Sequence, residues 1–338
     1  MSSASPAAHA LASQVGGHAN GVLTTEDDTL LIKQALPLEL QFYQTVAAAA
    51  EPELDALRPF LPKFLGTLAL EGELDTDKPP SETSIHVKPL SGPRRDEWWL
   101  LIRRAQSIVL ENLSHAFLKP NILDIKLGTV LYDESAPPEK VERMLKAAEA
   151  TTSLKTGIRL TGFQVYDNTT GEPDTTPKAY GKSISAAQLP EGIARFFPVA
   201  TADAPAQGLP TPLLLQILEL LREDVQDIRD AFAAIEMRMV GASLLFLYES
   251  DATRAEEGLK WMLTDDDEEE DEEDEDDDDD DDEDNSSKKP SPPCDVRLID
   301  FAHTRFVPEQ GPDEGVLLGL QTVLRLLDER IAAVKKCR

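Results

Sequence analysis

The spacing of apolar and polar residues predicts that the first third of the chain is mostly strand. Two apolar runs surround a polar turn, a pattern typical of a hairpin, and the second run ends at Lys33. Leu38, Phe42 and Val46 then recur every four residues, which is the spacing of a helix face. The predicted segments are a hairpin at 21–33, a helix at 38–50, strands at 60–72 and 97–113, and a loop at 72–96 that is rich in proline, serine and charge.

The rest of the chain mixes both patterns, so we predict an α+β fold with a β-rich front and a larger mixed back. A terminal helix is indicated by Leu317, Leu320, Leu324 and Leu327, which share one face ahead of a basic last turn. The other predicted elements are strands at 121–132, 157–167, 241–250 and 295–304, a helix at 139–152, and a long helical region at 211–238 with room for one break. The predicted organisation is a disordered tail at 1–20, an N-terminal lobe at 21–112 and a C-terminal lobe at 113–338.

The net charge is −30, but twenty consecutive acidic residues at 265–284 supply most of it. Such a run repels itself and cannot bury apolar surface, so we predict a disordered insertion at 264–293. Two interpretations of the run stay open: a solvated loop between two strands, or an arm that binds basic proteins. The overall acidity excludes a protein-wide basic surface, and we expect no direct binding of nucleic acid.

The cysteine content and the apolar runs indicate the compartment. Cys294 and Cys337 are too few for a disulfide framework or a four-cysteine zinc site, and they suit a reducing environment. No apolar run approaches the ~20 residues that span a membrane. The first twenty residues lack the basic start and apolar core of a secretory signal. We therefore expect a soluble intracellular protein.

Several familiar catalytic motifs are incomplete. Gly181-Lys182-Ser183 is similar to the end of a phosphate-binding P-loop, but Thr176 stands where that motif requires glycine. The chain has neither the G-x-G-x-x-G of dinucleotide-binding folds nor the H-R-D of protein kinases. Its five histidines lack metal-ligand spacing with one another. These motifs therefore assign no function.

Two acidic residues and a lysine stand out instead. In the strand PNILDIKLG at 120–128, alternation places Asp124 and Lys126 on one face and the apolar residues between them in the core. Such a pair is common in ordinary surface strands and equally suits a functional site. Asp300 ends an apolar run, where it is either a turn residue or a carboxylate that binds Mg²⁺ together with phosphate oxygens. The residues alone leave both interpretations open.

Three segments in order resemble the signatures of the inositol polyphosphate kinase family. They are P-x-x-x-D-x-K-x-G at 120–128, Ser-Leu-Leu at 243–245 and Ile-Asp-Phe at 299–301. The agreement extends from about Gly21 to Lys336 and is densest at 98–128. The resemblance implies a two-lobed fold, distantly like that of protein kinases, with an ATP cleft between a β-rich N-terminal lobe and a mixed C-terminal lobe. The fungal-type multikinase branch is the most similar.

The resemblance also implies roles in binding ATP and in transfer of its phosphoryl group. Lys33 would hold the ATP phosphates, with Glu39 as its acidic partner. Lys126 would lie between the γ-phosphate and the substrate, and its compact charge suits a phosphoryl group in transfer. The other implied binding roles are adenine binding by the linker at Glu111 and Leu113, ribose binding by Asp124, and binding of Mg²⁺ and ATP by Asp300. The implied catalytic residues are Lys126, Asp124 and Asp300. Ser243 has either a direct role or a packing role.

For the substrate, the resemblance points to a basic helix and one histidine. Lys140, Arg143 and Lys146 recur every three residues and fan over about a third of a helix circumference. From the residues alone, a solvated helix face is the competing interpretation, because Glu139 and Glu142 lie between them. The resemblance aligns Lys140 best with a substrate-binding position, and His303 is similar to a histidine that contacts the inositol.

The implied function is an ATP- and Mg²⁺-dependent kinase that converts inositol tris- and tetrakisphosphates toward the pentakisphosphate. An inositol trisphosphate 3-kinase or a hexakisphosphate kinase would share the same signatures. From another class, a nuclear scaffold could bind transcription factors or other basic proteins through the acidic run. We expect a monomer in nucleus and cytoplasm, with inositol polyphosphates as partners and phosphoinositide lipid headgroups as further candidates.

Overall fold

The computed structural model of the protein describes residues 8–11, 22–69, 73–74, 87–88, 106–201, 207–268 and 291–337. The strands are β1 (Ala8–Ala10), β2 (Val22–Thr25), β3 (Leu30–Gln34), β4 (Phe64–Ala69), β5 (Glu73–Leu74), β6 (Val87–Lys88), β7 (Gln106–Glu111), β8 (Pro120–Leu127), β9 (Ile158–Asp167), β10 (Glu172–Thr176), β11 (Met237–Val240), β12 (Ser243–Glu249), β13 (Cys294–Ile299) and β14 (His303–Phe306). The helices are α1 (Pro37–Ala48), α2 (Pro52–Leu57), α3 (Pro138–Glu149), α4 (Ser153–Thr156), α5 (Lys178–Ser183), α6 (Leu189–Phe196), α7 (Thr211–Ala233), α8 (Ala252–Glu268) and α9 (Glu314–Lys335). No helix in these ranges has the length and apolar character needed to cross a lipid bilayer.

An antiparallel sheet with the order β1-β2-β3-β7-β4 forms the front of the molecule. The hairpin predicted from the sequence is β2 and β3, and Lys33 lies near the end of β3 with Val22 and Ile108 on the neighbouring strands. The early helix is also confirmed as α1, which buries Phe42 and Val46. The same helix buries a charged residue, Glu39, which is 1% exposed.

A second antiparallel sheet, with the order β10-β9-β8-β12-β13, forms the centre of the larger lobe. In its middle strand β8, Leu123, Ile125 and Leu127 are fully buried as predicted, but burial does not alternate, because Ile122 and Asp124 on the other face are also buried. Helix α9 packs on β8 and β9, while α7 packs on α9 and on β13. Strands β11 and β14 form a small sheet of their own beside this layer. The α+β fold class with a sheet-rich N-terminal region is thus confirmed.

Two predicted elements in the second half differ from the structure. The helical region at 211–238 is one unbroken helix that ends at Ala233, and its last residues belong to β11. The strand expected at 295–304 is two strands, because the chain turns at Asp300, where φ is +68°. A left-handed residue cannot continue a β-ladder, so the turn ends β13 and allows β14 to pair with β11.

The sequence pattern missed several short elements, among them α2, α5 and α6. Helices α2 and α6 each carry proline in the first turn, which breaks the apolar periodicity although proline is well tolerated there. Helix α5 contains the Gly-Lys-Ser segment and follows the edge strand β10. The rejection of a P-loop agrees with this geometry, because the segment is helical rather than a loop around a phosphate.

Two segments expected to be disordered contain regular structure. Within the predicted tail, Ala8–Ala10 pairs with β2 as an edge strand. Within the predicted acidic insertion, helix α8 continues to Glu268. The remainder of the acidic run, most of the loop predicted at 72–96 and the tryptophan-rich segment that precedes β7 lie outside the described residues.

A close backbone contact holds α9 against the central sheet, and a glycine makes the contact possible. Gly157 follows α4 with φ +68°, and a Cβ atom there would lie 2.5 Å from the amide nitrogen of Gly319 in α9. We expect Gly157→Ala to lower the free energy of unfolding by about 2–5 kcal/mol, from left-handed strain and overpacking together. Denaturant unfolding measures this loss.

Gly171→Ala is the matched control, because Gly171 has φ +74° and a Cβ atom there would contact nothing within 4 Å. It should lose only the strain contribution, about 1–2 kcal/mol. Equal losses for the two variants would show that the contact with α9 does not matter to stability.

Candidate active site

Four charged side chains from both lobes meet in one network. Lys33 Nζ on β3 lies 2.8 Å from Glu39 Oε1 on α1 and 2.6 Å from Asp300 Oδ1, which follows β13. The second carboxylate oxygen of Asp300 lies 3.2 Å from Nζ of Lys126 on β8. Lys126 Nζ also donates a hydrogen bond to the carbonyl of Gly241. The structure therefore brings together Lys33, Lys126 and Asp300, which are far apart in the sequence.

Asp300 is held in an unusual backbone conformation between two buried segments. Its φ of +68° is tolerated by aspartate better than by most residues. The next residue, Phe301, is fully buried and stacks on Phe42 of α1, with ring centroids 4.0 Å apart. The turn thus directs the carboxylate of Asp300 toward the two lysines while its neighbour anchors the chain in the core.

Electrostatics keep the Asp300 carboxyl ionised. Burial alone would raise its pKa, but the positive charges of Lys33 and Lys126 outweigh that effect and lower the pKa to about 2. Glu39 differs, since burial raises its pKa and Lys33 opposes the rise only in part. Asp300 side-chain atoms remain 33% exposed, so the carboxylate can still be reached from solvent.

Asp124 lies on the same strand as Lys126 but is buried. The residue is 4% exposed, and its carboxylate lies close enough to the Ser243 hydroxyl for a hydrogen bond that lowers its pKa. Burial raises the pKa of this carboxyl, while the charge of Lys126 opposes the rise. A carboxylate has about four acceptor positions, so it can also accept a hydrogen bond from a ligand.

The structure adds Arg159, which the sequence analysis did not select. Arg159 on β9 lies opposite Lys126 in the register of the sheet. Burial lowers the pKa of its guanidinium while Asp124 raises it, and no described residue forms an ion pair or hydrogen bond with it. In the sequence, Arg159 stands out only as an arginine inside the otherwise apolar strand IRLTGFQV. The pairing register of the sheet is what shows that it lies beside the network.

The basic helix α3 has a different character from this network. Lys140 is half-buried, whereas Arg143 and Lys146 are exposed, and Lys146 forms an ion pair of 2.6 Å with Glu142 on its own helix. Within the described residues, no contact joins these three side chains to the network around Asp300. Their binding of substrate stays a prediction.

His303 begins β14 and is paired with an acidic residue from another element. Its Nδ1 atom lies 3.2 Å from Oδ2 of Asp133, in the loop between β8 and α3. The histidine side chain is 36% exposed. Because this loop leads directly into α3, the pair joins the region of Asp300 to the start of the basic helix.

The predicted linker between the lobes is fixed by Asn112, which lies between Glu111 and Leu113. The Asn112 side chain donates to the carbonyl of Asp28 at 2.7 Å and accepts from the Ser114 hydroxyl at 2.8 Å. Glu111 accepts a hydrogen bond from the backbone of Lys63 through its side chain. The side chains of the linker thus bind neighbouring protein groups, so adenine contacts predicted here would come from the backbone.

A solvent-reachable carboxylate, two lysines and an arginine meet where the two lobes join, and together they form a site suited to a polyanion. Comparison with known proteins identifies the family. The family model described as inositol polyphosphate kinase matches residues 107–328. Inositol polyphosphate multikinase from Saccharomyces cerevisiae is 32% identical to this chain, across 92% of this chain and 95% of its own length. Inositol hexakisphosphate kinase 1 from Rattus norvegicus is 29% identical, across 66% of this chain and 51% of its own length.

A solved structure agrees with these sequence matches. The inositol phosphate multikinase Ipk2 from S. cerevisiae, crystallised with ADP and Mn²⁺, has a TM-score of 0.59 and 27% identity. The match covers 90% of this chain and 99% of that one. The chain belongs to the inositol polyphosphate kinase family.

The lowered pKa of Asp300 makes stability depend on pH in a predictable direction. Its folded-state pKa of about 2 lies below the ordinary 3.8, so ionised Asp300 stabilises the fold above pH 3.8 and this contribution is lost as the pH falls toward 2. Asp300→Asn should therefore unfold about 1–2 kcal/mol more easily than the parent at pH 6, after allowance for solvent screening. Below pH 4 the difference should shrink, as followed by urea denaturation.

Asp230→Asn is the control for this experiment. Asp230 is exposed and pairs with its neighbour Arg229, so we expect little effect at either pH. A stability gap for Asp300→Asn that stays constant from pH 6 to pH 3 would contradict the assignment of the ionised carboxylate.

Proposed function

We propose that this inositol polyphosphate kinase is a multikinase that transfers the terminal phosphoryl group of ATP to inositol tris- and tetrakisphosphates, toward the pentakisphosphate. The observation that carries the proposal is the meeting of Lys33, Lys126 and Asp300 at the junction of the lobes, beside Arg159. Similarity to the yeast multikinase over nearly the full length of both chains supports this branch.

In this proposal the front sheet and the linker hold ATP. Lys33 contacts the phosphates, and Glu39 keeps its ammonium in place at 2.8 Å. The buried carboxylate of Asp124 accepts a hydrogen bond from a ribose hydroxyl. The backbone of Glu111 and Leu113 contacts adenine, because the Asn112 side chain between them is already committed to the protein.

The donor set at Asp300 fits a divalent metal. Its carboxylate is ionised and reachable from solvent, and Mg²⁺ requires one or two carboxylates together with phosphate oxygens and water. No group of three or more metal-ligating side chains occurs in the described part of the chain, which suits a metal shared with ATP. The crystallised yeast relative contains ADP and Mn²⁺, which supports the same assignment. When bound, such a metal neutralises phosphate charge during transfer.

The acceptor lies on the other side of Lys126 in this proposal. Arg159 is a partly buried cation on which the charge of Asp124 acts without forming an ion pair, so a substrate phosphate would provide a direct counter-charge. Lys140, half-buried on α3, and His303, partly exposed at the start of β14, are further candidate contacts for the substrate, as are Arg143 and Lys146 on exposed positions of α3. In this proposal the acceptor hydroxyl of the inositol faces the terminal phosphate of ATP beside Lys126.

Catalysis then rests on positioning and charge rather than on a covalent intermediate. Phosphoryl transfer spreads negative charge over the oxygens of the moving group, and fixed cations stabilise that charge. Lys126 can exchange its contact with Asp300 for the phosphoryl oxygens, because at 3.2 Å this ion pair is longer than the one between Lys33 and Asp300 and both side chains are partly exposed. Holding both reactants removes much of the entropic barrier to their encounter.

Product analysis tests the choice of branch. Purified protein is incubated with ATP, Mg²⁺ and a panel of inositol tris-, tetrakis-, pentakis- and hexakisphosphates, and the products are separated by anion-exchange chromatography. A multikinase forms pentakisphosphate from both lower substrates. Formation of tetrakisphosphate alone would indicate a 3-kinase, and a pyrophosphorylated product from hexakisphosphate would indicate a hexakisphosphate kinase.

We extend the proposal to location and partners. Two unpaired cysteines suit the nucleus and cytoplasm, which are reducing compartments. Phosphoinositide headgroups carry the same phosphate chemistry as the soluble substrates and are candidate acceptors, and the enzyme acts as a monomer. The acidic run is a candidate binding segment for basic proteins such as transcription factors. In this role the protein would act as a scaffold in addition to its catalysis.

Loss of Lys126 or Asp300 should abolish turnover without unfolding the protein. Lys126→Ala and Asp300→Asn remove groups that contact the transferred phosphate or its metal, so we expect a fall in kcat of about 10³ or more. A coupled ATP assay and thermal denaturation are measured on the same samples. Lys335→Ala is the control, because Lys335 forms an exposed ion pair with Glu219. Near-normal turnover in either site variant would contradict the assignment of Lys126 and Asp300 to the catalytic centre.

Arg159 and Lys140 should affect the acceptor and not ATP. We expect Arg159→Met and Lys140→Ala to raise KM for an inositol trisphosphate about tenfold or more, since a charge-assisted contact contributes roughly 1.5–3 kcal/mol. KM for ATP should stay within about twofold in steady-state assays. Arg222→Met, which removes an exposed pair with Asp328, is the control. An equal rise in both KM values would place these residues at the nucleotide instead.

A further inference from the structure

The loop between β8 and α3 contains an acidic residue that the sequence analysis did not select. Oδ1 of Asp133 accepts hydrogen bonds from the backbone amide and the hydroxyl of Ser135, at 2.8 Å and 2.6 Å. Its carbonyl accepts from the amide of Ala136 at 2.9 Å. The carboxylate is thus oriented by its own turn, and its second oxygen, Oδ2, points away from the turn to His303 Nδ1 at 3.2 Å.

The protonation of this contact follows from the donors around it. The hydrogen bonds from Ser135 hold the pKa of the Asp133 carboxyl below its usual range, so the group is an anion. An ionised carboxylate only accepts hydrogen bonds. The hydrogen between Asp133 and His303 must therefore be on Nδ1 of the imidazole.

The backbone of His303 is equally well fixed. It pairs with Val240 across the β11–β14 ladder, and the next residue, Thr304, donates its amide hydrogen to the carbonyl of Phe301 at 3.1 Å. If the imidazole rotated so that Nδ1 met a different partner, the contact with Asp133 would be lost. In the described part of the chain, no residue forms a hydrogen bond with Nε2, the other ring nitrogen.

We propose that Asp133 is a positioning residue that fixes His303 as the Nδ1–H tautomer, so that the Nε2 lone pair accepts a hydrogen bond from a hydroxyl of the inositol ring. A neutral imidazole with its hydrogen on Nδ1 can only accept at Nε2, and it offers nothing to a phosphate oxygen. While the imidazole is neutral, the pair therefore favours an unphosphorylated ring position at this point of the pocket. This inference rests on the proposed function, because it assumes that the acceptor is an inositol phosphate.

Asp133→Asn separates the tautomer from the packing. The Ser135 donors require an acceptor at the Oδ1 position, so the new amide should keep its oxygen there and present its NH₂ group to His303. The imidazole then has to accept at Nδ1 and carry its hydrogen on Nε2. The same exchange of acid for amide is known to reverse a histidine tautomer in serine proteases.

The test combines a spectroscopic and a kinetic measurement on the full chain. Nitrogen-15 NMR at about pH 8 reports the tautomer of each neutral imidazole, and His303→Ala identifies the signal among the five histidines. We expect Nδ1–H in the parent and Nε2–H in Asp133→Asn. With an inositol trisphosphate and ATP as probes, Asp133→Asn should raise KM for the inositol phosphate about tenfold, with kcat and KM for ATP within about threefold of the parent.

Glu134→Gln is the matched control. Glu134 is the next residue in the loop and joins it to β14 through Arg305, but its side chain is 79% exposed and does not contact His303. It should leave both the tautomer and KM unchanged. The double variant Asp133→Asn with His303→Ala should be no worse than His303→Ala alone, because the two residues act as one unit.

Three outcomes would overturn the inference: an Nε2–H tautomer in the parent, a KM effect of Glu134→Gln as large as that of Asp133→Asn, or a further loss from Asp133→Asn in the His303→Ala background. The tautomer is read without substrate. A parent with the Nδ1–H form but no activity on any inositol phosphate would therefore refute the proposed function and the hydroxyl contact, and leave only the Asp133–His303 geometry standing.

Discussion

The carboxylate of Asp300, shared between Lys33 and Lys126, is the interaction on which the site depends. Lys33 comes from the front sheet and Lys126 from the central sheet, so the two ion pairs of Asp300 join the lobes through a single side chain. With Glu39, the cluster contains two positive and two negative charges, and this balance allows four ionisable groups to lie together partly shielded from water. Phosphates and a divalent metal can replace these contacts in kind, since lysine pairs with phosphate and carboxylate with metal.

Aromatic packing behind the cluster fixes its geometry. Phe301 stacks on Phe42 and meets the ring of Tyr43 edge-on, so the turn that presents Asp300 is attached to the helix that presents Glu39. Such pairs contribute about 0.5–1.5 kcal/mol each beyond the burial of their area. The apolar core and the charged site are therefore not separate features, because movement of α1 would displace both acidic partners of Lys33.

A protein with a net charge of −30 can still bind a polyanion, because the effect of each charge depends on how strongly water and salt screen it. Lys33 and Lys126 are about one-fifth exposed, and Arg159 is partly buried, so their fields are screened less than those of surface residues. Lys146, by contrast, is 73% exposed and neutralised by Glu142. The acidic residues at 265–284 contribute most of the total charge, so the net charge of the chain says little about the charge at the site.

The sequence by itself determined the local elements and the ordered signatures: the alternation in β8 predicted which residues enter the core, and the motifs around Asp124, Lys126 and Asp300 indicated the family. It also predicted the hairpin with Lys33 and the helix with Glu39, because strand and helix periodicities are local properties. It left a turn at Asp300 open but still predicted one strand across 295–304 where the structure has two, since a left-handed residue leaves no mark in apolar periodicity. Only the tertiary structure selected Arg159 and Asp133, because their roles come from register across a sheet and from a contact between residues 170 positions apart. Pairings of this kind are set by how elements pack together, and no spacing along the chain records them.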